Sequence, residues 1–284
     1  MTYPDKEKIC LKDDLYLNRK ESEKLKTELM RFLFSGIGKF EDRLIGAAAW
    51  LDILADFLRA IMPGLSENVF EREKVFNTFY DSMVRENYDR LFRISNKYST
   101  NPMIKRMFLG QVISFRNAPD RNFSLPGVIL FVLINNLKYS TGIASVTLPG
   151  MNESIPVSEL SRNIVNMQQD QFIEIIADWL KDYFSDENPT ETEDLYPSVH
   201  QKYLFFLLYY ALMKWYVKGF VYLEQRDTDT EMIRWAVRMT RDEFSQSSRF
   251  RDVVMRNTTL SDTIEKLFNR NTAPHILVRE GTDE

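Results

Sequence analysis

The sequence predicts an all-α protein, a multi-helix orthogonal bundle of about eight to ten helices around a very apolar central helix at 203–223. Three observations carry this. First, Tyr203-Leu-Phe-Phe-Leu-Leu-Tyr-Tyr-Ala-Leu-Met213, continued by Lys214-Trp-Tyr-Val-Lys218, is too apolar for a surface helix. Lys214 interrupts the run short of the roughly 20 consecutive apolar residues that a bilayer core requires, so it is expected to be a buried centre and not a transmembrane segment. Second, 20 Phe and 13 Tyr are set against only 10 Gly and 10 Pro in 284 residues, which favours long elements over many short strands. Third, apolar residues recur every three or four positions along most of the chain.

After an N-terminal arm at 1–20, residues 21–34 place Leu25, Leu29, Phe32 and Leu33 on one face of an amphipathic helix. Gly36-Ile37-Gly38 is the turn of a helical hairpin. Its second arm, 40–61, carries Leu44, Ala48, Leu51, Leu54 and Leu58 and is expected to end at Pro63-Gly64. A third helix is predicted from Ser66 to about Asn96, with Arg90, Arg93 and Lys97 along its outer stripe. Asn101-Pro102 opens the next helix, with Asn as cap and Pro at the first helical position.

The apolar run Gly127–Leu137 fits a buried helix or a strand, and it is read as a helix. Residues 139–157 are the longest irregular stretch in this part of the chain, with room for a small hairpin around Ile143–Leu148. Helical periodicity resumes over 159–184. Asp182 to Asp194 then carries six acidic residues and no basic one, with Pro189 among them, which marks 185–198 as an exposed acidic linker. Thr228-Asp-Thr-Glu231 matches a capping box that starts a helix, and 249–257 and 260–269 close the bundle. The predicted organisation is therefore a helical layer at 21–184, the linker, a C-terminal helical core at 199–269 and a tail at 270–284.

Composition excludes several functions. A net charge of −4 gives no global attraction to phosphate backbones, which argues against nucleic acid as partner. One cysteine, Cys10, and two histidines, His200 and His275, cannot assemble a thiolate-rich metal centre, so no metal is expected from this chain. The N-terminus lacks the apolar core of a signal peptide, and the cytoplasm is the expected compartment. No phosphate loop, dinucleotide fingerprint, zinc-protease His pair or nucleophile elbow is present, and no catalytic residue is assigned. Tyr203, Tyr209, Tyr210, Tyr216 and Tyr222 cluster on the central helix, where buried phenols require hydrogen-bond partners. Arg234, Arg238 and Arg241 share a face of the following helix, with acidic neighbours.

Tyr210-Ala211-Leu212-Met213-Lys214, followed by a helix ending Val237-Arg238-Met239-Thr240-Arg241-Asp242-Glu243-Phe244-Ser245-Gln246, resembles the C-terminal helical region of the flagellin lysine-N-methylases. The helical pair at 25–61 and Ile113-Ser-Phe-Arg-Asn117 are similar in character, so the resemblance spans about residues 21–257. It implies protein-lysine methylation or flagellin handling, S-adenosylmethionine as cofactor, and Tyr209, Tyr210 and Arg241 as walls of the substrate site. The cysteine-rich, cluster-binding region of that family has no counterpart here, and Ser245 stands near where the family carries a histidine, which implies a cluster-lacking subunit or degenerate paralogue. The alternative is a non-enzymatic protein-interaction module whose Met- and Phe-rich helices grip a partner helix. A polar pocket near Tyr210 favours the first reading and an exposed apolar groove the second.

Overall fold

The structure, a computed structural model, describes residues 8–13, 15–36, 38–65, 74, 77–78, 102–117, 125–162, 167, 169–185, 198–256 and 258–279. The chain is all-α, with eleven helices and two small hairpins among the described residues. A hairpin of β1 (Lys8–Lys12) and β2 (Leu15–Asn18) precedes α1 (Arg19–Leu33) and α2 (Phe40–Leu65). Then come α3 (Pro102–Asn117), α4 (Leu125–Thr141), a hairpin of β3 (Ser145–Thr147) and β4 (Ser154–Pro156), α5 (Val157–Arg162) and α6 (Asp170–Ser185). The central helix α7 (Val199–Glu224) leads to α8 (Thr230–Thr240), a π-turn at Arg241–Ser245, α9 (Ser248–Arg256), α10 (Thr258–Phe268) and α11 (Ala273–Val278).

Two compact units share these elements: residues 1–98 with 180–206, and residues 99–179 with 207–284. Each is built from two stretches of chain, whereas the sequence reading divided the chain linearly. The helix expected over 66–96, with Arg90, Arg93 and Lys97, and most of the 185–198 linker lie outside the described residues.

In the first unit the N-terminal residues form structure where an arm was expected. β1 and β2 pair antiparallel, with Ile9 opposite Leu17, and bury Leu11 and Leu17. Asn18 then caps α1: its Oδ1 accepts from the Glu21 backbone N–H at 2.9 Å, while Glu21 Oε2 accepts from the Asn18 N–H at 2.9 Å. This reciprocal pair satisfies donors that a bare helix end leaves open. α1 buries Leu25, Leu29, Phe32 and Leu33, the face predicted from periodicity.

The chain reverses through Gly36 at φ 74°, a left-handed conformation that favours glycine. Arg43 ties the reversal together, its Nε donating to the Leu33 carbonyl at 2.7 Å and its Nη1 to that of Gly38 at 2.8 Å. α2 runs on to Leu65, past Pro63, where the pattern had suggested a stop near Ile61. Tyr203 donates to the Leu44 carbonyl at 2.8 Å, and Tyr183 to that of Lys202 at 3.1 Å. His200 is buried and lies 3.0 Å from Asp52 Oδ1, which also accepts from Lys12 Nζ at 2.6 Å.

In the second unit α3 packs against α4, α9, α10 and α11. Gly110 permits the α3–α4 approach: a Cβ built there would lie 2.4 Å from Tyr139 Cγ, inside any real contact distance. The Tyr139 hydroxyl is 2.8 Å from Ser114 Oγ. β3 and β4 form the small hairpin expected in the 139–157 stretch.

α8 starts one residue later than the capping-box reading placed it. Asp229, not Thr228, is the cap, accepting from the Met232 N–H at 2.8 Å. An aspartate oxygen caps as well as a threonine hydroxyl, and Asp229 sits at the residue that precedes the first helical turn. Residues 270–284, expected as a tail, contain α11, whose Ala273 to Val278 are all buried. Six residues are too few to show a helical period, which hid this element from the sequence.

Every residue from Tyr203 to Met213 is buried, as the composition of that run predicted. The full α7 has 26 residues, so by length and composition it is long and apolar enough to cross a membrane. Yet 89% of its most apolar window is enclosed by protein. Each large apolar side chain so enclosed contributes roughly 1.5–3 kcal/mol.

Candidate functional site

The residues singled out on α7 occupy a dense interior. Tyr209 and Tyr210 are fully buried. The Tyr209 ring meets Phe250 edge-on at 6.5 Å, and the Lys214 ammonium sits 5.4 Å from the centroid of Tyr210. Arg241 is half-buried at the first position of the π-turn, while Arg234 and Arg238 are exposed.

Lys214 is itself fully buried and donates to the Val278 carbonyl at 2.8 Å. Lys105 donates to the next carbonyl, Arg279, at 2.9 Å. The two ammonium groups thus meet the C-terminal end of α11, where unsatisfied carbonyls and the negative end of the helix dipole favour cations. His275 lies on the same short helix. Burial, and secondarily the positive charge of Arg279, push its imidazole down to about 4, so it is neutral at physiological pH.

Arg116, near the end of α3, holds the π-turn. Its Nε donates to the Glu243 backbone carbonyl at 3.0 Å and its Nη2 to the Glu243 carboxylate at 2.5 Å. Tyr216 donates to the Pro149 carbonyl at 2.7 Å, and Asn117 Nδ2 to that of Thr147 at 2.8 Å, which fastens the β3–β4 connection. Burial and the nearby Glu243 charge raise the Tyr216 phenol far above its ordinary range. Tyr203 is raised likewise by burial. Both phenols are locked as neutral donors to backbone carbonyls, the structural use of a buried tyrosine.

Open space lies elsewhere in the second unit. A cleft of about 290 Å³ has an apolar floor of Ile104, Met107 and Phe108 from α3 and Leu267 from α10. Gln111, Asn136 and Thr263 line it further, and Lys266 and Arg270 complete it. None of Tyr209, Tyr210 and Arg241 lines this cleft. As walls for S-adenosylmethionine the two tyrosines do not fit, because each ring is enclosed by protein and leaves no face to a nucleoside or a lysine amine. Among the described residues, no group of three or more His, Cys, Asp or Glu side chains is placed to hold a metal ion.

The second open feature is α4. Leu130, Leu133, Ile134 and Leu137, at i, i+3, i+4 and i+7, are exposed by 59, 59, 44 and 68%, and Ile143 just beyond the helix by 86%. Asn135 and Tyr139, on the other side of the helix, are buried. Sequence reasoning took this run as a core helix. The available signal was that α4 is apolar on both sides, whereas a helix covered on one side only ordinarily turns polar residues outward.

No protein-family model matches the sequence, and no curated protein or solved structure matches it either.

Proposed function

We propose that this chain is a helical protein-interaction module whose docking face is the outer side of α4, and that its partner presents an amphipathic helix with acidic flanks. The exposed stripe Leu130, Leu133, Ile134 and Leu137 carries this reading. Four large apolar side chains on two consecutive turns match the anchor spacing with which an amphipathic helix and an apolar surface recognise each other, and contiguous exposed apolar surface of this kind marks interaction sites. The charge of the partner follows from what surrounds the stripe. Lys138 on α4 is exposed and, among the described residues, is not engaged in an ion pair. Lys266 and Arg270, at the cleft that Asn136 of α4 also lines, are likewise exposed and unengaged. Acidic flanks would find these cations in a protein that is acidic overall.

The methylase-like reading rests on the resemblance alone, since the tyrosines it nominates are enclosed.

The test is fluorescence anisotropy with two synthetic helical peptides that share a leucine stripe and differ only in Glu or Lys flanks. The Glu-flanked peptide should bind the full chain more tightly than the Lys-flanked one, and the double variant L133E/L137E should weaken it by about tenfold or more, which is 1.4 kcal/mol. Equal binding by the variant, or none by the wild type, overturns the proposal. A concentration-dependent dimer in sedimentation that L133E/L137E abolishes would instead assign the face to a second copy of this chain. Calorimetric binding of S-adenosylmethionine would return the methylase-like reading.

A further inference from the structure

We infer that the cleft between α3, α4 and α10 is a binding site for a small amphipathic anion, a medium-chain alkyl carboxylate of about the size of octanoate. This goes beyond the docking reading and does not depend on it. The chemistry is divided along the cleft. Ile104, Met107, Phe108 and Leu267 supply an apolar floor, with Phe108 and Leu267 buried and Ile104 and Met107 partly open to the space. Such a floor gains from an alkyl chain roughly 0.8 kcal/mol per buried methylene, and Met107, unbranched and polarizable, adapts to the shape of an inserted tail.

The opposite requirement appears on α10. Lys266 and Arg270 lie four residues apart and both line the cleft. Neither side chain has an ion-pair or hydrogen-bond partner among the described residues. Three buried cations of this unit are engaged: Arg116 on Glu243, Lys105 on the Arg279 carbonyl, Lys214 on that of Val278. Two unengaged cations beside apolar walls define a site that wants a negative head group, and the guanidinium fork suits a carboxylate in particular.

The polar wall supports the same assignment. Gln111 Nε2 donates to Asn136 Oδ1. That bond fixes the Asn136 carboxamide and leaves its amide nitrogen as a donor, which a carboxylate can accept.

Size narrows the ligand. The volume of about 290 Å³ stands at the small end of the roughly 300–1,000 Å³ of small-molecule sites. That scale calls for a short ligand, and octanoate, whose charge and tail match the two halves of the cleft, is taken as its representative.

The experiment is isothermal calorimetry on the full chain with octanoate, octanol and octylamine. Octanoate should bind below about 1 mM, octanol about tenfold more weakly, and octylamine more weakly still. K266Q/R270Q should bring octanoate down to the octanol value. Both residues are exposed, so this variant is expected to keep the wild-type melting temperature. M107W should fill the floor and remove octanoate and octanol together. L133E/L137E should leave octanoate binding unchanged, so that failure of the docking face and failure of the cleft are read separately. No octanoate binding at about 1 mM, equal affinity for octanoate and octanol, or an octanoate affinity indifferent to K266Q/R270Q in a folded protein overturns the assignment.

Discussion

Arg116 grips Glu243 twice, at its backbone carbonyl and at its carboxylate, across 127 residues of sequence. The second contact is charged and short, with side-chain exposures of only 10 and 24%. The first holds the backbone of the π-turn itself. A five-residue π-turn ends α8, a rare helical form, and an outside donor to one of its carbonyls helps to hold that conformation.

The pair makes a prediction that distinguishes its two contacts. Glu243→Gln keeps the backbone acceptor and loses the charge, and is expected to cost about 1–3 kcal/mol. Arg116→Met loses both contacts and should cost more, about 3–5 kcal/mol, because the partly buried carboxylate is left without its cation. A double-mutant cycle measured by urea denaturation should give a coupling of at least about 1 kcal/mol. Additive losses would mean that the charged contact contributes nothing beyond the carbonyl bond.

The architecture was largely legible in the sequence because it rests on period. α1, α2, α3 and α7 announce themselves through Leu25-to-Leu33, Leu44-to-Leu58, Pro102 and the Tyr203–Met213 run. Where period fails, the sequence reading failed with it. α11 is shorter than two turns, and the β1–β2 hairpin turns through Asp13 at φ 41°, a residue that gives little warning of that role. The cleft was illegible for another reason. Its residues come from 104–111, 136 and 263–270, which only tertiary packing brings together. α4 was read correctly as a helix, but its open face was not legible, because an apolar run does not state whether its second face is covered by its own chain or by something else.

Acid should destabilise the protein in two separate ranges. His275 is depressed from 6.5 to about 4 in the folded chain. The unfolded state therefore binds the proton first, and stability falls as pH drops from about 6.5 towards 4, on the order of 3 kcal/mol in all at 1.36 kcal/mol per pH unit. Asp52 acts lower. Burial alone would raise its carboxyl, but the hydrogen bonds and charges of His200 and Lys12 outweigh that and hold it below its ordinary range. Its contribution is present above the unfolded value of 3.8 and is lost as pH falls below it. Chemical denaturation from pH 7 to 4.5 should show a slope in the wild type that His275→Leu removes. An unchanged slope in that variant would assign the sensitivity to another group.

The two leucine-rich helices should respond to substitution in opposite ways, and that contrast tests the reading of α4 more directly than any single variant. Leu207 and Leu208 of α7 are fully buried. Truncating either to Ala removes apolar contact and leaves a void, at an expected cost of about 2–5 kcal/mol. Leu133 and Leu137 of α4 are no less apolar but are 59 and 68% exposed. Placing Glu at either should change stability by less than about 0.5 kcal/mol, since a surface substitution away from caps and ion pairs has little to break. Urea midpoints of the four single variants, measured on dilute full-length chain, decide it. A loss above about 2 kcal/mol at Leu133 or Leu137 would mean that this face is covered within the chain itself and is closed to a partner. Losses below about 1 kcal/mol at both Leu207 and Leu208 would mean that α7 is not the packed centre of the protein.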